Sequence, residues 1–205
     1  MEKSVAILDG GMGRELERIG APFRQPEWSA LALMEAPDIV TKAHDNFIQA
    51  GADIITTNSY ALVPFHIGPE RFKTQGRDLI SLAAKLARQS ADKTANRIKV
   101  AGSIPPLFGS YSPGNFQPDA ARDILIPLME EQLPYIDLWI VETLSSIEEA
   151  KFVASIIEKT QKPIWISFSL TDRENENMPS SIRSKESIED AVNTSLSWKN
   201  IEAIL

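Results

Sequence analysis

Six short apolar runs, separated by stretches with helical spacing, constrain what this chain can fold into more than any other feature. They cover residues 5–8, 53–57, 98–103, 138–142, 164–170 and 202–205. Between them Ile39, Ala43, Phe47 and Ala50 share one helix face, as do Leu79, Leu82, Ala83, Leu86 and Ala87. Ile124, Leu125 and Leu128 form another such face, and Ala150, Val153 and Ile157 a fourth. Strands separated by helices lie parallel and are covered on both faces, which explains unbroken runs such as Val-Ala-Ile-Leu and Leu-Trp-Ile-Val.

Local punctuation supports these periods. Pro37 suits a first helical turn, Gly51 can close that helix in a left-handed conformation, and Ser145 with Glu148 has capping-box spacing. Pro127 removes a backbone donor inside an apolar-periodic stretch, so it should kink that helix or mark a late start.

The remaining choice is between a barrel and an open sheet. Gly11 and Gly13 supply half of a dinucleotide fingerprint, but Leu16 occupies the third glycine position and no GK[ST] phosphate loop exists. The expected fold is therefore an α/β barrel of the TIM (β/α)8 type, incomplete here with about six βα units. A whole barrel takes roughly 250 residues. Residues 1–205 read as one domain, and the run at 201–205 reads as a strand interrupted midway, so a C-terminally truncated barrel is expected. Its open edges should be apolar, leaving it poorly stable alone or completed by another chain.

The net charge of −7 disfavours a phosphate-backbone partner and points to small-molecule chemistry. No apolar run approaches the roughly 18 to 20 residues that cross a bilayer, and residues 1–4 lead directly into a strand, giving a cytoplasmic reading. The absence of cysteine excludes disulfides, thiolate nucleophiles and sulfur-ligated zinc within these 205 residues.

Working residues of parallel barrels sit at the carboxyl ends of the strands. Here those ends carry Asp9-Gly10-Gly11-Met12-Gly13, Thr56-Thr57-Asn58-Ser59, Gly102-Ser103, Glu142-Thr143, and Ser167 with Ser169. Asp9 and Glu142 would face one mouth, where two carboxylates and exposed amides can hold the ammonium and carboxylate of an amino acid. The competing reading makes Asp9 a helix cap and pairs Glu142 with a loop arginine. Thr56 to Ser59 offer hydroxyl and amide contacts to a carboxylate, although threonine also favours strands. Ser103 leads into a stiff Pro-Pro loop that can wall the pocket or serve as a connector. His44 lies on a helix and reads as a packing or surface residue; His66 falls in a long loop after the second strand. No lysine ends a strand, which disfavours a Schiff-base aldolase. Trp139 and Trp165 read as core.

Four blocks, Leu8-Asp9-Gly10-Gly11-Met12-Gly13-Arg14-Glu15-Leu16, Ala50-Gly51-Ala52-Asp53-Ile54-Ile55-Thr56-Thr57-Asn58-Ser59-Tyr60, Val100-Ala101-Gly102-Ser103 and Ile140-Val141-Glu142-Thr143, in this order and spacing, resemble the homocysteine S-methyltransferase family. The resemblance implies methyl transfer from a sulfonium, betaine or similar donor to the thiol of homocysteine, giving methionine. It implies that Asp9 and Glu142 bind the amino group, and that amides near Gly10, Gly11 and Met12, with Thr57 and Asn58, contact the carboxylate. It also implies a zinc ion in the complete protein, held by cysteines that this chain lacks, so no catalytic or metal-binding residue is assigned here. Without that ion a thiol of pKa about 8.5 stays mostly protonated at neutral pH. The charged stretch 172–186 reads as a surface loop. Homocysteine and a small methyl donor are the expected partners, with no nucleic acid or membrane; the donor and the oligomeric state are left open. Two alternatives stand beside this reading, a non-catalytic amino-acid-binding paralogue and a carboxylate-metal lyase on the same fold.

Overall fold

The computed structural model describes residues 5–172 and 180–205. In chain order the elements are α1 (Met12–Arg18), α2 (Ser29–Glu35), α3 (Pro37–Gln49), β1 (Ile54–Thr56), α4 (Pro64–Ile67), α5 (Pro69–Asp92), β2 (Lys99–Ile104), α6 (Pro118–Gln132), β3 (Leu138–Leu144), α7 (Ile147–Ile157), β4 (Ile164–Phe168), α8 (Ile188–Leu196) and β5 (Ile201–Ile204). All ladders are parallel and the strand order is β1-β2-β3-β4-β5, without a reversal. A doubly wound sheet reverses at a switch point, whereas a barrel adds strands sequentially. The order therefore selects the arc of a (β/α) barrel. Among the described residues no helix is long and apolar enough to cross a membrane.

The expected strand at 5–8 is reduced to a single parallel bridge between Leu8 and Ile54. Ile7 O accepts from Asp53 N at 2.8 Å, and Asp9 N donates to Ile54 O at 2.9 Å, so the segment still runs beside β1. Val5 and Ile7 are 69% and 53% exposed, because this edge has neighbours on one side only.

Strand alternation sorts the core into two layers. Outward-facing Ile55, Val100, Trp139, Val141, Ile164 and Ile166 belong to the large cluster between sheet and helices. Inward-facing Ile54, Ala101, Leu138 and Ile140 form a small second cluster, with Leu8 and Trp165 packed on it. Continuing the inward parity toward the carboxyl ends gives Thr56, Ser103, Glu142 and Ser167, so the same period that fills the barrel's interior with apolar side chains delivers polar ones at its mouth.

The helix boundaries follow the expected chemistry with one displacement. Pro37 opens α3, and Gly51 follows its C-terminus with φ of 104°. Pro127 lies inside α6, which starts at Pro118, so the alternative of a late start is excluded. The cap of α7 is Ser146, whose hydroxyl accepts from Glu149 N, and not Ser145 with Glu148. Glu149 reaches across to accept from Leu107 N at 3.0 Å, which ties α7 to the loop after β2 in place of closing a capping box. Ser146→Ala is expected to cost about 1 kcal/mol, read as a lower urea midpoint with an unchanged slope. The surface loop expected over 172–186 lies partly outside the described residues; its later part forms antiparallel bridges, Leu170 with Ile182 and Ser181 with Ser187.

Candidate functional site

A cavity of about 850 Å³ opens at the carboxyl ends of the strands. Asp9, Gly10, Gly11, Met12, Thr57, Asn58 and Glu142 all line it, so the residues singled out at separate strand ends meet in one place. Gly10 to Gly13 lead into α1, whose N-cap Gly11 has no side-chain cap, and the first amides of a helix have no intrahelical acceptor. Gly10 must stay small, since a Cβ there would stand 3.0 Å from the Phe47 ring.

Asp9 is fixed by β1: its Oδ2 accepts from Thr56 N at 2.6 Å and its Oδ1 from Thr56 Oγ1 at 2.9 Å. A carboxylate has about four acceptor positions, so capacity remains for a ligand. Burial raises the Asp9 carboxyl above its usual range, opposed by the bonds from Thr56. The Asp9 side chain therefore bonds β1 and not the start of α1, which sets aside the helix-cap alternative.

Glu142 Oε1 accepts from Ser103 Oγ at 2.5 Å. Burial pushes its carboxyl up to about 7, the Ser103 bond opposes this, and the negative charge of Asp9 adds to the rise. That effect of Asp9 on Glu142 agrees with the two carboxylates sharing one cavity. Among the described residues no arginine pairs with Glu142. The register between β3 and β4 shifts after Val141, and Thr143 takes a φ of 62°. Trp28 (φ 49°) and Tyr111 (φ 63°) also line the cavity with positive φ.

Thr57 lines the cavity, but its hydroxyl is engaged internally. Its proton goes to Gln132 Oε1 at 2.6 Å, and its oxygen accepts from Ser103 N at 3.0 Å. Asn58 Nδ2 donates to Ser29 O at 3.1 Å, joining the β1 loop to the start of α2, while its buried Oδ1 has no partner among the described residues. His66 sits in α4 at the cavity wall with Nδ1 donating to Pro26 O at 3.1 Å, and burial lowers its pKa. His44 is fully buried on α3 and lies away from the cavity lining, with its pKa lowered to about 4 by burial.

Several lining residues escaped the sequence reading. Phe23, Trp28, Phe65 and Tyr111 form much of the outer wall, and Tyr60 OH lies 2.6 Å from Ser110 Oγ. Phe65 lies in the single turn of α4 and the others come from loops of irregular period, where nothing in the sequence separates a wall from a connector. The Pro-Pro stretch itself does not reach the cavity: none of residues 103–109 lines it, and the wall is formed just beyond by Ser110 and Tyr111.

The donor chemistry does not fit a zinc ion. Cysteine is absent, and among the described residues no three His, Asp or Glu side chains cluster.

Sequential parallel strands with two carboxylates and the start of a helix at one mouth define a barrel with a polar cavity at the carboxyl ends of its strands. A family model described as Homocysteine S-methyltransferase matches residues 6–205. Homocysteine S-methyltransferase 1 of Zea mays is 30% identical over 194 residues, covering 83% of this chain and 60% of its own length. Homocysteine S-methyltransferase of Escherichia coli strain K12 is 28% identical over 191 residues, covering 85% and 61%. The solved structure of the homocysteine methyltransferase MmuM from Escherichia coli, metallated form, aligns with a TM-score of 0.84 and 26% identity over 99% of this chain and 74% of that one. The chain belongs to the homocysteine S-methyltransferase family. It spans about 60% of the length of the curated relatives it matches.

Proposed function

We propose that the cavity binds homocysteine as a zwitterion, and that the complete protein transfers a methyl group to its thiol from a sulfonium or similar donor, giving methionine. The observation that carries this reading is the convergence of Asp9, Glu142 and the Gly10 to Met12 segment on one cavity. The ammonium group donates to the free positions of Asp9 and Glu142, and the carboxylate takes the amides at the start of α1. Thr57 supports the site from behind, since its proton is given to Gln132. In the reaction a sulfur–methyl bond forms at homocysteine, the donor's methyl bond breaks with its electron pair returning to the leaving group, and the thiol proton is released. The zinc expected in a complete protein would need donors other than the described residues.

Calorimetric titration at pH 8 with L-homocysteine and with its deaminated analogue, 4-mercaptobutyrate, tests the binding mode. Homocysteine is expected to bind, with the analogue at least roughly tenfold weaker because it leaves both carboxylates without a cation. Equal affinities would remove the role given to Asp9 and Glu142.

The lack of cysteine favours a second reading, a family member that binds the amino acid without reacting. Methionine formed from homocysteine and a methyl sulfonium by the zinc-supplied protein would reject it.

A further inference from the structure

We infer that Gln132, on α6 and outside the cavity lining, is a positioning residue that completes the β1–β2 ladder with its side chain and so holds Ser103 where it grips Glu142. The inference rests on the homocysteine-binding reading only for its consequence, not for its geometry. Strand β1 ends at Thr56 while β2 runs on to Ile104. The last regular bond between them is Thr57 N to Ala101 O at 2.9 Å. A parallel ladder would next send Ser103 N to the carbonyl of Thr57 and bring a β1 amide to Ser103 O. The chain turns away instead, and Thr57 O accepts from Ser59 N at 2.8 Å.

Side chains fill the two places. Ser103 N donates to Thr57 Oγ1 at 3.0 Å, Thr57 Oγ1 donates to Gln132 Oε1 at 2.6 Å, and Gln132 Nε2 donates to Ser103 O at 3.0 Å. The three bonds run head to tail from the Ser103 amide to the Ser103 carbonyl, a chain in which each bond polarises the next. Ser59 Oγ reaches the same chain of bonds, with Gln132 Oε1 at 3.0 Å and Ser103 O at 3.1 Å. The remaining amide hydrogen of Gln132 goes to Leu128 O at 2.8 Å, so the side chain is saturated and its orientation fixed. Gln132 is 0% exposed. A fully satisfied amide buried at that depth specifies a single local geometry, and the residue it holds, directly at the carbonyl and through Thr57 at the amide, is the one whose hydroxyl holds Glu142.

The test uses Gln132→Met, which keeps the volume and removes the amide, together with Ser103→Ala and the double variant. In the ligand-free proteins the Glu142 carboxyl is followed by carbon-13 resonance against pH. Gln132→Met is expected to move its titration midpoint upward, in the same direction as Ser103→Ala, and the double variant is expected to move it no further than Ser103→Ala alone. L-homocysteine affinity should fall about tenfold in Gln132→Met, again without addition in the double variant. An unmoved midpoint in folded Gln132→Met, or additive shifts, would overturn the inference. Should Gln132→Met fail to fold, the unmodified protein decides: the Ser103 amide must exchange with deuterium as slowly as its β2 neighbours, and exchange at loop rates overturns the inference. Because the titration needs no ligand, a protein that shows the coupled shift but never binds homocysteine would leave the role of Gln132 intact and remove the proposed function.

Discussion

Glu142→Gln is expected to weaken homocysteine binding at pH 8 by roughly 10- to 100-fold, the worth of one hydrogen bond to a charged group, while making the ligand-free protein more stable. Both effects have the same origin. Burial holds the folded-state carboxyl at about 7, against an ordinary value of 4.5. Between those values the folded protein binds a proton that the unfolded chain has released, so stability falls as pH rises through that window. Above pH 7 the whole penalty is present, on the order of 1 to 3 kcal/mol after allowing for partial exposure. Glutamine still accepts from Ser103 Oγ but never ionises, so the penalty is removed. Urea unfolding at pH 5 and pH 8 checks this: the variant's advantage should be small at pH 5 and largest at pH 8. Asp9, also raised by burial, adds a slope of the same sign to both proteins. A Glu142→Gln variant no more stable than its parent at pH 8 would mean that the carboxylate is well solvated.

The same sign governs the ligand. Below pH 7 Glu142 is protonated and grips an ammonium group poorly, and above it the charge is in place. Homocysteine affinity in the unmodified protein should therefore rise as pH passes through about 7. Glu142→Gln should flatten that rise. The site is thus unfavourable in the empty protein and becomes favourable when a cation enters, which is how a binding site can cost stability and retain its residues.

Much of this site was legible before any coordinates because it rests on two short-range regularities. Strand period places Thr56, Ser103, Glu142 and Ser167 on the inner face, and the rule for parallel barrels places their strand ends at one mouth. Asp9 was legible for the same reason, even though its strand shrinks to a bridge at Leu8. The sequence could not reveal long-range satisfaction. Thr57 reads as a ligand contact from its position, yet its hydroxyl is taken by Gln132, 75 residues later. Gln132 itself looks like an ordinary polar residue near a helix end. The capping box slipped by one because Ser145 and Ser146 are adjacent and followed by Glu148 and Glu149; only the packing of Glu149 against Leu107 N decides between them. The aromatic wall was invisible for a different reason, since loops without a period carry no signal of which side faces inward.

Trp139→Ala should produce the largest loss of stability, about 3 to 5 kcal/mol, because a fully buried indole leaves a cavity that rigid strands cannot close. Its Nε1 also donates to Thr160 Oγ1 at 2.9 Å, a bond that joins β3 to the turn before β4. The ring occupies the place of a missing side chain on β2: a Cβ on Gly102 would stand 2.7 Å from Trp139 Cζ3 and 2.8 Å from Ile136 Cδ1. Gly102→Ala should therefore cost about 1 to 3 kcal/mol by overpacking in the parent. On the Trp139→Ala background the contact with the ring is gone and Ile136 has room to move away, so part of that cost should disappear, giving a coupling of about 1 kcal/mol in a double-mutant cycle. Gly102 immediately precedes Ser103, so homocysteine affinity should fall in Trp139→Ala although the indole lies on the opposite face of the sheet from the cavity. Additive stabilities in the cycle would show that β2 shifts away from the ring without resistance, and unchanged affinity in a folded Trp139→Ala protein would show that Ser103 is held by Thr57 and Gln132 alone.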